Sequence, residues 1–307
     1  MESRHKSFNI ALVALDLTEM DEYIIQYTAM ISKLMPLERI LFVHVEKNLE
    51  LPADLMEKFP DLMAPLDESI KEDIRNKVEK HFQNISVDID YIVREGNPIN
   101  KILKLSKVKN VDLIIMGRKQ NLKGSGIVSS HIARISPCSL LFVTENYQPE
   151  IKKIMVPVDF SSHSLMAVKH GQEVAEKAGA EVCLSHVYNV PAGYTKTGKT
   201  LQEFAEIMKK HAQNDCKTFF QKNNLTLESP CEYILNDSGK PADLIYEYGK
   251  KVKASLIVVG SKGRTSASAF LIGSIAEKLA LKDSDIPILI VKTKGEIMGF
   301  LESLMRV

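Results

Sequence analysis

The chain has 307 residues, is 45% hydrophobic and 26% charged, and carries a formal net charge of +1. That is ordinary globular composition, long enough for two cores of ~150 residues each without disulfides or structural metal. The near-neutral charge gives no reason to expect duplex nucleic acid or an anionic bilayer as partner. The four scattered cysteines lack any Cys-x-x-Cys or Cys/His spacing and read as reduced thiols of a cytoplasmic protein. In chain order, Asn9–Leu15 is a short apolar strand ending at Asp16, entered without a signal-peptide pattern. Met20–Leu34 has apolar residues at helical spacing, and Pro36 breaks that helix before a second strand, Arg39–Val45. Glu46–Asp67 is irregular, with prolines at 52, 60 and 65, and Glu68–Gln83 is a charged amphipathic helix. Val87–Val93, Leu113–Met116 and Ser139–Val143 supply three more strands, and Gly96-Asn97-Pro98 opens a helix running to Val108. Continuous apolar strands alternating with helices imply a parallel sheet covered on both faces.

The second half repeats the first. Asp16 matches Asp159, Gly96 matches Gly239, Pro98 matches Pro241 and Gly117 matches Gly260, each 143 residues on. His44 matches His186 one residue short of that offset. Several pairs in order mean two copies of one fold, joined by a polar segment around Glu145–Ile151. In the second copy Lys153–Val158, Val182–Tyr188, Ser229–Leu235, Leu256–Val259 and Ile286–Val291 are the strands. Ser162–Ala178, Leu201–Asn223 and Ala242–Lys251 are helices, the first capped by Ser161 or Ser162 and closed by Gly179.

The most informative stretch is Leu256–Leu279. A buried strand leads into Gly260, two residues, Gly263, nine residues, then Gly273-Ser274 and a helix. Glycines permit close backbone approach, and a helix N-terminus collects free N–H groups and the positive end of the macrodipole. Ser274 is expected to cap that helix and to offer its hydroxyl to a phosphate oxygen, with Lys262 and Arg264 as local cations. Glycines that only make turns are the plainer alternative. The first copy keeps Gly117 but has Gln120 in place of Gly263 and Ser129 in place of Gly273, with Arg118, Lys119 and Lys123 still basic. Its site reads as weakened or lost; binding in a different geometry, through Gly124 and Gly126, is the alternative.

G-x2-G-x9-G-[S/T] after a hydrophobic strand resembles the ATP-binding signature of the universal stress protein family. Ile154–Ser164 (IMVPVDFSSHS), Val182–Tyr188 (VCLSHVY) and Ser238–Ile245 (SGKPADLI) resemble that family's first strand and turn, second strand and third-helix opening. The likeness is tight over residues 151 to 293 and looser before. It implies an α/β fold of two tandem repeats, each a five-stranded parallel sheet sandwiched by helices, Rossmann-like and similar to the adenine nucleotide alpha hydrolases. The implied domains are residues 1–146, with a degenerate loop, and 151–294, with an intact one. Pro157, Val158, Asp159 and Val187 would border adenine and ribose; Val259, Gly260, Lys262, Gly263, Gly273, Ser274 and Ile275 would hold the phosphates. Asp159 capping the first helix is an equal alternative. The implied ligand is ATP, with or without Mg2+, or ADP or AMP. The implied role is a cytoplasmic regulatory protein of the stress response, a homodimer with a protein partner and no membrane span. Members of the family pair through their last strands.

Gly193–Thr200 (GYTKTGKT) satisfies the Walker A pattern G-x4-G-K-[S/T]. It follows the wrong strand of its repeat for a P-loop enzyme, and the surrounding residues fit another fold. A narrower role is a reach of Lys196 or Lys199 over the crevice. No nucleophile–base set is assembled, and His163 and His170, on one helix face, lack a third ligand for a metal. A slow ATP hydrolase or other nucleotide-handling enzyme, such as a nucleotidyl-type transferase, and a nucleotide-free interaction module are the other classes. Residues 295–307 carry an amphipathic stripe (Ile297, Phe300, Leu301, Leu304, Met305) that packs on its own domain or docks a partner.

Overall fold

Strand after strand is apolar on both faces, so each must lie inside a sheet with helices on either side. In the computed structural model the described residues are 8–49, 66–118, 127–226, 230–263 and 272–293. They form two units, divided between Pro149 and Glu150. The first unit runs β1 (Ile10–Leu15), α1 (Met20–Ser32), β2 (Arg39–Glu46), α2 (Leu66–Phe82), β3 (Asp88–Glu95), α3 (Pro98–Val108), β4 (Leu113–Arg118), α4 (Ile127–Ile135) and β5 (Ser139–Thr144). The second runs β6 (Lys153–Pro157), α5 (Ser162–Ala178), β7 (Glu181–Tyr188), a 3-10 turn (Ala192–Thr197), α6 (Leu201–Lys222), β8 (Cys231–Leu235), α7 (Pro241–Lys251), β9 (Leu256–Gly260), α8 (Ser274–Leu281) and β10 (Ile288–Val291).

Within the first unit the strand order is β3-β2-β1-β4-β5, and within the second β8-β7-β6-β9-β10. Every pairing inside a unit is parallel. The order reverses between β1 and β4 and between β6 and β9, where the carboxyl ends of the two strands leave a crevice. Ile154 and Met155 of β6 register on Leu256 and Ile257 of β9, which places that crevice in the second unit.

The central strands are the core: Leu113–Ile115, Leu140–Val143, Ile154–Val156, Leu256–Val258 and Ile288–Ile290 are wholly shielded from solvent. The helix ends follow local chemistry. Asn97 accepts from the Asn100 N–H and caps α3, with Pro98 as first helical residue. Ser161 accepts from Ser164 N–H and caps α5, and Gly179, at φ +63°, closes it in the left-handed region. Residues 50–65 of the irregular stretch and the 295–307 stripe lie outside the described residues.

Candidate functional site

The crevice of the second unit is built from the ends of β6, β7 and β9 and the start of α8. Past β6 the chain turns sharply. Val158 donates its N–H to the Ser185 carbonyl, and Phe160 takes φ +66°. A positive φ on a bulky side chain needs outside support. The Phe160 ring has it, stacked 4.4 Å from the His186 imidazole and packed against Phe219. His186 Nδ1 lies 2.7 Å from the Val158 carbonyl, so this buried histidine ties β7 to the turn and is structural. The first unit repeats the device: Leu17 has φ +59°, and His44 Nδ1 lies 3.1 Å from the Leu15 carbonyl.

Asp159 does not cap α5; Ser161 does. The Asp159 carboxylate accepts from the Ser161 N–H through one oxygen. Its other oxygen faces Gly263: a Cβ on that glycine would stand 2.8 Å from Asp159 Oδ2. Two segments about 100 residues apart in sequence thus meet at the mouth of the crevice. Gly273 closes the loop from the far side. Its N–H donates to the Ser261 carbonyl at 2.6 Å, and a Cβ there would press on the main chain of Ser261, Lys262 and Gly263.

Gly260 has a steric duty of its own. A Cβ there would lie 2.6 Å from the His163 carbonyl carbon and 2.7 Å from its oxygen, main-chain atoms that cannot yield cheaply. This glycine lets the first turn of α5 sit on the end of β9. Gly117 stands likewise against α1, but there the obstacles are the side chains of Met20 and Ile24.

The structure corrects the expected cap of α8. Gly273, not Ser274, is the N-cap, at φ −65° and ψ 147° and with no side-chain bond. Ser274 is the first helical residue and is exposed, which leaves its hydroxyl directed by no cap. Ile275 follows half-buried in the first turn. Pro157, Val158 and Val259 are buried in the crevice wall, and Val187 registers on Ile234 of β8, beyond Ser185, which pairs with Pro157. Lys262 is half-buried and Gly263 exposed, while Arg264 lies outside the described residues.

Ser261 was not singled out by its sequence, being a small residue between two stronger signals. Its side chain is 1% exposed, and its hydroxyl has no hydrogen-bond partner among the described residues. A buried hydroxyl left in that state costs about 1–3 kcal/mol. It sits one residue from Gly260 and two from Gly263.

The first unit differs where the loops return. Ser129 does not occupy the N-cap place that Gly273 holds. It is the third residue of α4, and its hydroxyl donates to the Gly117 carbonyl at 3.3 Å. Gln120, Lys119, Lys123, Gly124 and Gly126 lie outside the described residues.

The Walker-like segment is not arranged as a P-loop. Ala192–Thr197 is an exposed 3-10 turn, and Thr200 caps α6 in a reciprocal box with Glu203. The Glu203 carboxylate accepts from both the Thr200 N–H and its hydroxyl, placing a negative charge where a P-loop would receive phosphate. Among the described residues no three His, Cys, Asp or Glu side chains gather as a metal site.

The model of the universal stress protein family matches residues 7–144 and again 150–292. The chain belongs to the universal stress protein family. A universal stress protein of Methanocaldococcus jannaschii is 32% identical over 153 residues, 49% of this chain and 87% of the relative. A solved universal stress protein from Archaeoglobus fulgidus shares the fold across 94% of this chain and 97% of its own, at TM-score 0.61 and 19% identity. A protein of unknown function from Pseudomonas aeruginosa matches 99% of each chain at TM-score 0.67 and 17% identity. Two universal stress protein domains in tandem, each with a parallel sheet between helices, are therefore the architecture of this chain.

Proposed function

We propose that this universal stress protein binds an adenine nucleotide, ATP or its di- or monophosphate, in the crevice of its second domain, and that occupancy regulates a protein partner in a stress response. The observation that carries this reading is the cradle around the loop. Gly263 lies exposed against the Asp159 carboxylate, Gly273 rests on bare main chain, and the buried Ser261 hydroxyl has no partner among the described residues. A phosphate supplies acceptors for main-chain N–H groups and for hydroxyls together, and the N-terminus of α8 favours its charge. Pro157, Val158, Asp159 and Val187 line the side on which a base and ribose would lie. Val259, Gly260, Lys262, Gly263, Gly273, Ser274 and Ile275 form the phosphate side, with Ser261 added to them.

Asp159 offers a carboxylate for a ribose or base donor, and a Mg2+ would enter with the phosphates it already binds. No helix among the described residues is long and apolar enough to cross a membrane, which is consistent with the proposed cytoplasmic role. A homodimer is the assembly this proposal includes.

Titration calorimetry on the full chain tests the proposal. ATP, ADP or AMP should give saturable heat, and Gly263→Val should weaken binding at least about tenfold (about 1.4 kcal/mol), since its bulk meets the Asp159 carboxylate. Absence of heat with all three nucleotides would leave the interaction-module reading in its place. Rapid nucleotide turnover abolished by Gly263→Val would favour the enzyme instead.

A further inference from the structure

Asn189 and Asn236 meet just past the carboxyl ends of β7 and β8. Val187 registers on Ile234 and Tyr188 on Leu235. The Asn236 N–H carries that ladder one step further, donating to the Tyr188 carbonyl at 2.8 Å. Asn189 stands two residues beyond Val187, and Asn236 two beyond Ile234. Residues two apart in an extended chain share a face, so the pair continues the row that Val187 and Ile234 begin. The other face of β7 belongs to α6 and the turn: His186 stacks on Phe160, and Tyr188 packs with Ala205 and Ala212.

One bond joins the two amides. Asn236 Nδ2 donates to Asn189 Oδ1 at 2.7 Å. Asn189 is exposed and Asn236 half-buried. Asn236 Oδ1 is itself shielded from solvent and has no hydrogen-bond partner among the described residues. A buried amide oxygen without a donor has lost its bonds to water and gained none in exchange. The side chain is therefore better off with this oxygen turned to a donor, and the bond that opposes the turn is made to an exposed partner.

We propose that Asn236 reads the base of the bound nucleotide: its Oδ1 accepts from a 6-amino group, so that the crevice selects 6-aminopurines over 6-oxopurines. Asn236 has this role only if the nucleotide lies as proposed above, with its base beside Val187. The amino group of adenine is a donor and matches the amide oxygen. The 6-oxygen of hypoxanthine or guanine is an acceptor and would face it lone pair to lone pair. A purine with only hydrogen at that position leaves the oxygen unpaired. A site that carries a buried acceptor rejects the analogue lacking the donor for that reason.

Calorimetry on the full chain compares ATP, inosine triphosphate and purine riboside triphosphate, which share ribose and phosphates. The wild type should bind ATP at least about tenfold more tightly than either analogue. In Asn236→Leu, ATP should fall to the level of purine riboside triphosphate, whose own affinity should not change. Asn236→Asp keeps an acceptor in this place and should keep the ratio between those two ligands. A ratio that survives Asn236→Leu, or is lost in both variants, overturns the role of Asn236. A wild type that binds ATP and purine riboside triphosphate equally, or prefers the inosine nucleotide, overturns it as well and leaves nucleotide binding standing. No heat with any of the three would overturn nucleotide binding itself, and this role with it. The wild-type comparison decides the matter even where a variant fails to fold.

Discussion

The turn after the first strand of each copy is made with different residues. In the second domain Ser161 caps the helix and Ser164 is tucked beneath it. In the first, the residue matching Ser164 is Asp21, 1% exposed, and its two carboxylate oxygens accept from the Asp16 and Leu17 N–H groups. Burial, chiefly, together with the nearby Asp16 charge, raises its pKa from 3.8 to about 6, although Lys77 and the two N–H groups oppose the shift. A carboxyl whose folded pKa is raised adds stability that is whole below its unfolded pKa and is lost as pH climbs through the folded value. The first domain should therefore lose up to about 3 kcal/mol of stability from this group between about pH 4 and pH 6. Urea unfolding of wild type and Asp21→Ser across that range checks it: the variant should show a flatter profile for the first domain. A slope unchanged by the substitution would assign the effect to another group.

Among the elements, α6 shows how one segment can carry a motif and a different physical role. GYTKTGKT meets the Walker spacing, yet its last threonine is used as a helix cap. Thr200→Ala removes the hydroxyl that accepts from the Glu203 N–H and donates to its carboxylate, keeps the Thr200 N–H bond, and should destabilise the second domain by about 1 kcal/mol. The Thr200 N–H bond holds the Glu203 carboxyl below the usual carboxylate range, helped by the Thr200 hydroxyl, so part of that loss should fade in acid. Chemical denaturation of the variant at neutral and acidic pH measures both effects. The two last helices make a similar contrast. α8 begins after a glycine that lies against the loop's main chain, whereas α4 already includes Ser129, whose hydroxyl is directed to the strand before it.

For the whole molecule, the proposed function uses only one of the two copies of the fold. The second domain combines an exposed Gly263, a main-chain-backed Gly273 and a buried Ser261 hydroxyl with no partner among the described residues. The first has a glutamine at position 120 and a serine inside α4. Calorimetry should therefore give a stoichiometry near one nucleotide per chain, and Gly263→Val should remove that site without revealing a second. A stoichiometry of about two would restore the first loop as a binding site in its own geometry. The repeat was legible because apolar strands recur in register with Asp16/Asp159 and Gly117/Gly260, and those positions serve the same turn and helix packing in both copies.

Sequence alone determined the two α/β copies with their parallel sheets and the glycine spacing at the end of β9, whereas the strand order came from the structure. Those are properties of local periodicity and of residues with restricted or permissive backbones, and they are written into neighbouring positions. Other features depend on atoms that only folding brings together. Gly260 answers to the main chain of His163, Gly263 faces Asp159, the α8 cap falls to Gly273, and His186 is spent on the Val158 carbonyl. The burial of Asp21 has the same origin. A close approach or a desolvated charge is a relation between segments far apart in the chain, and no single segment encodes it.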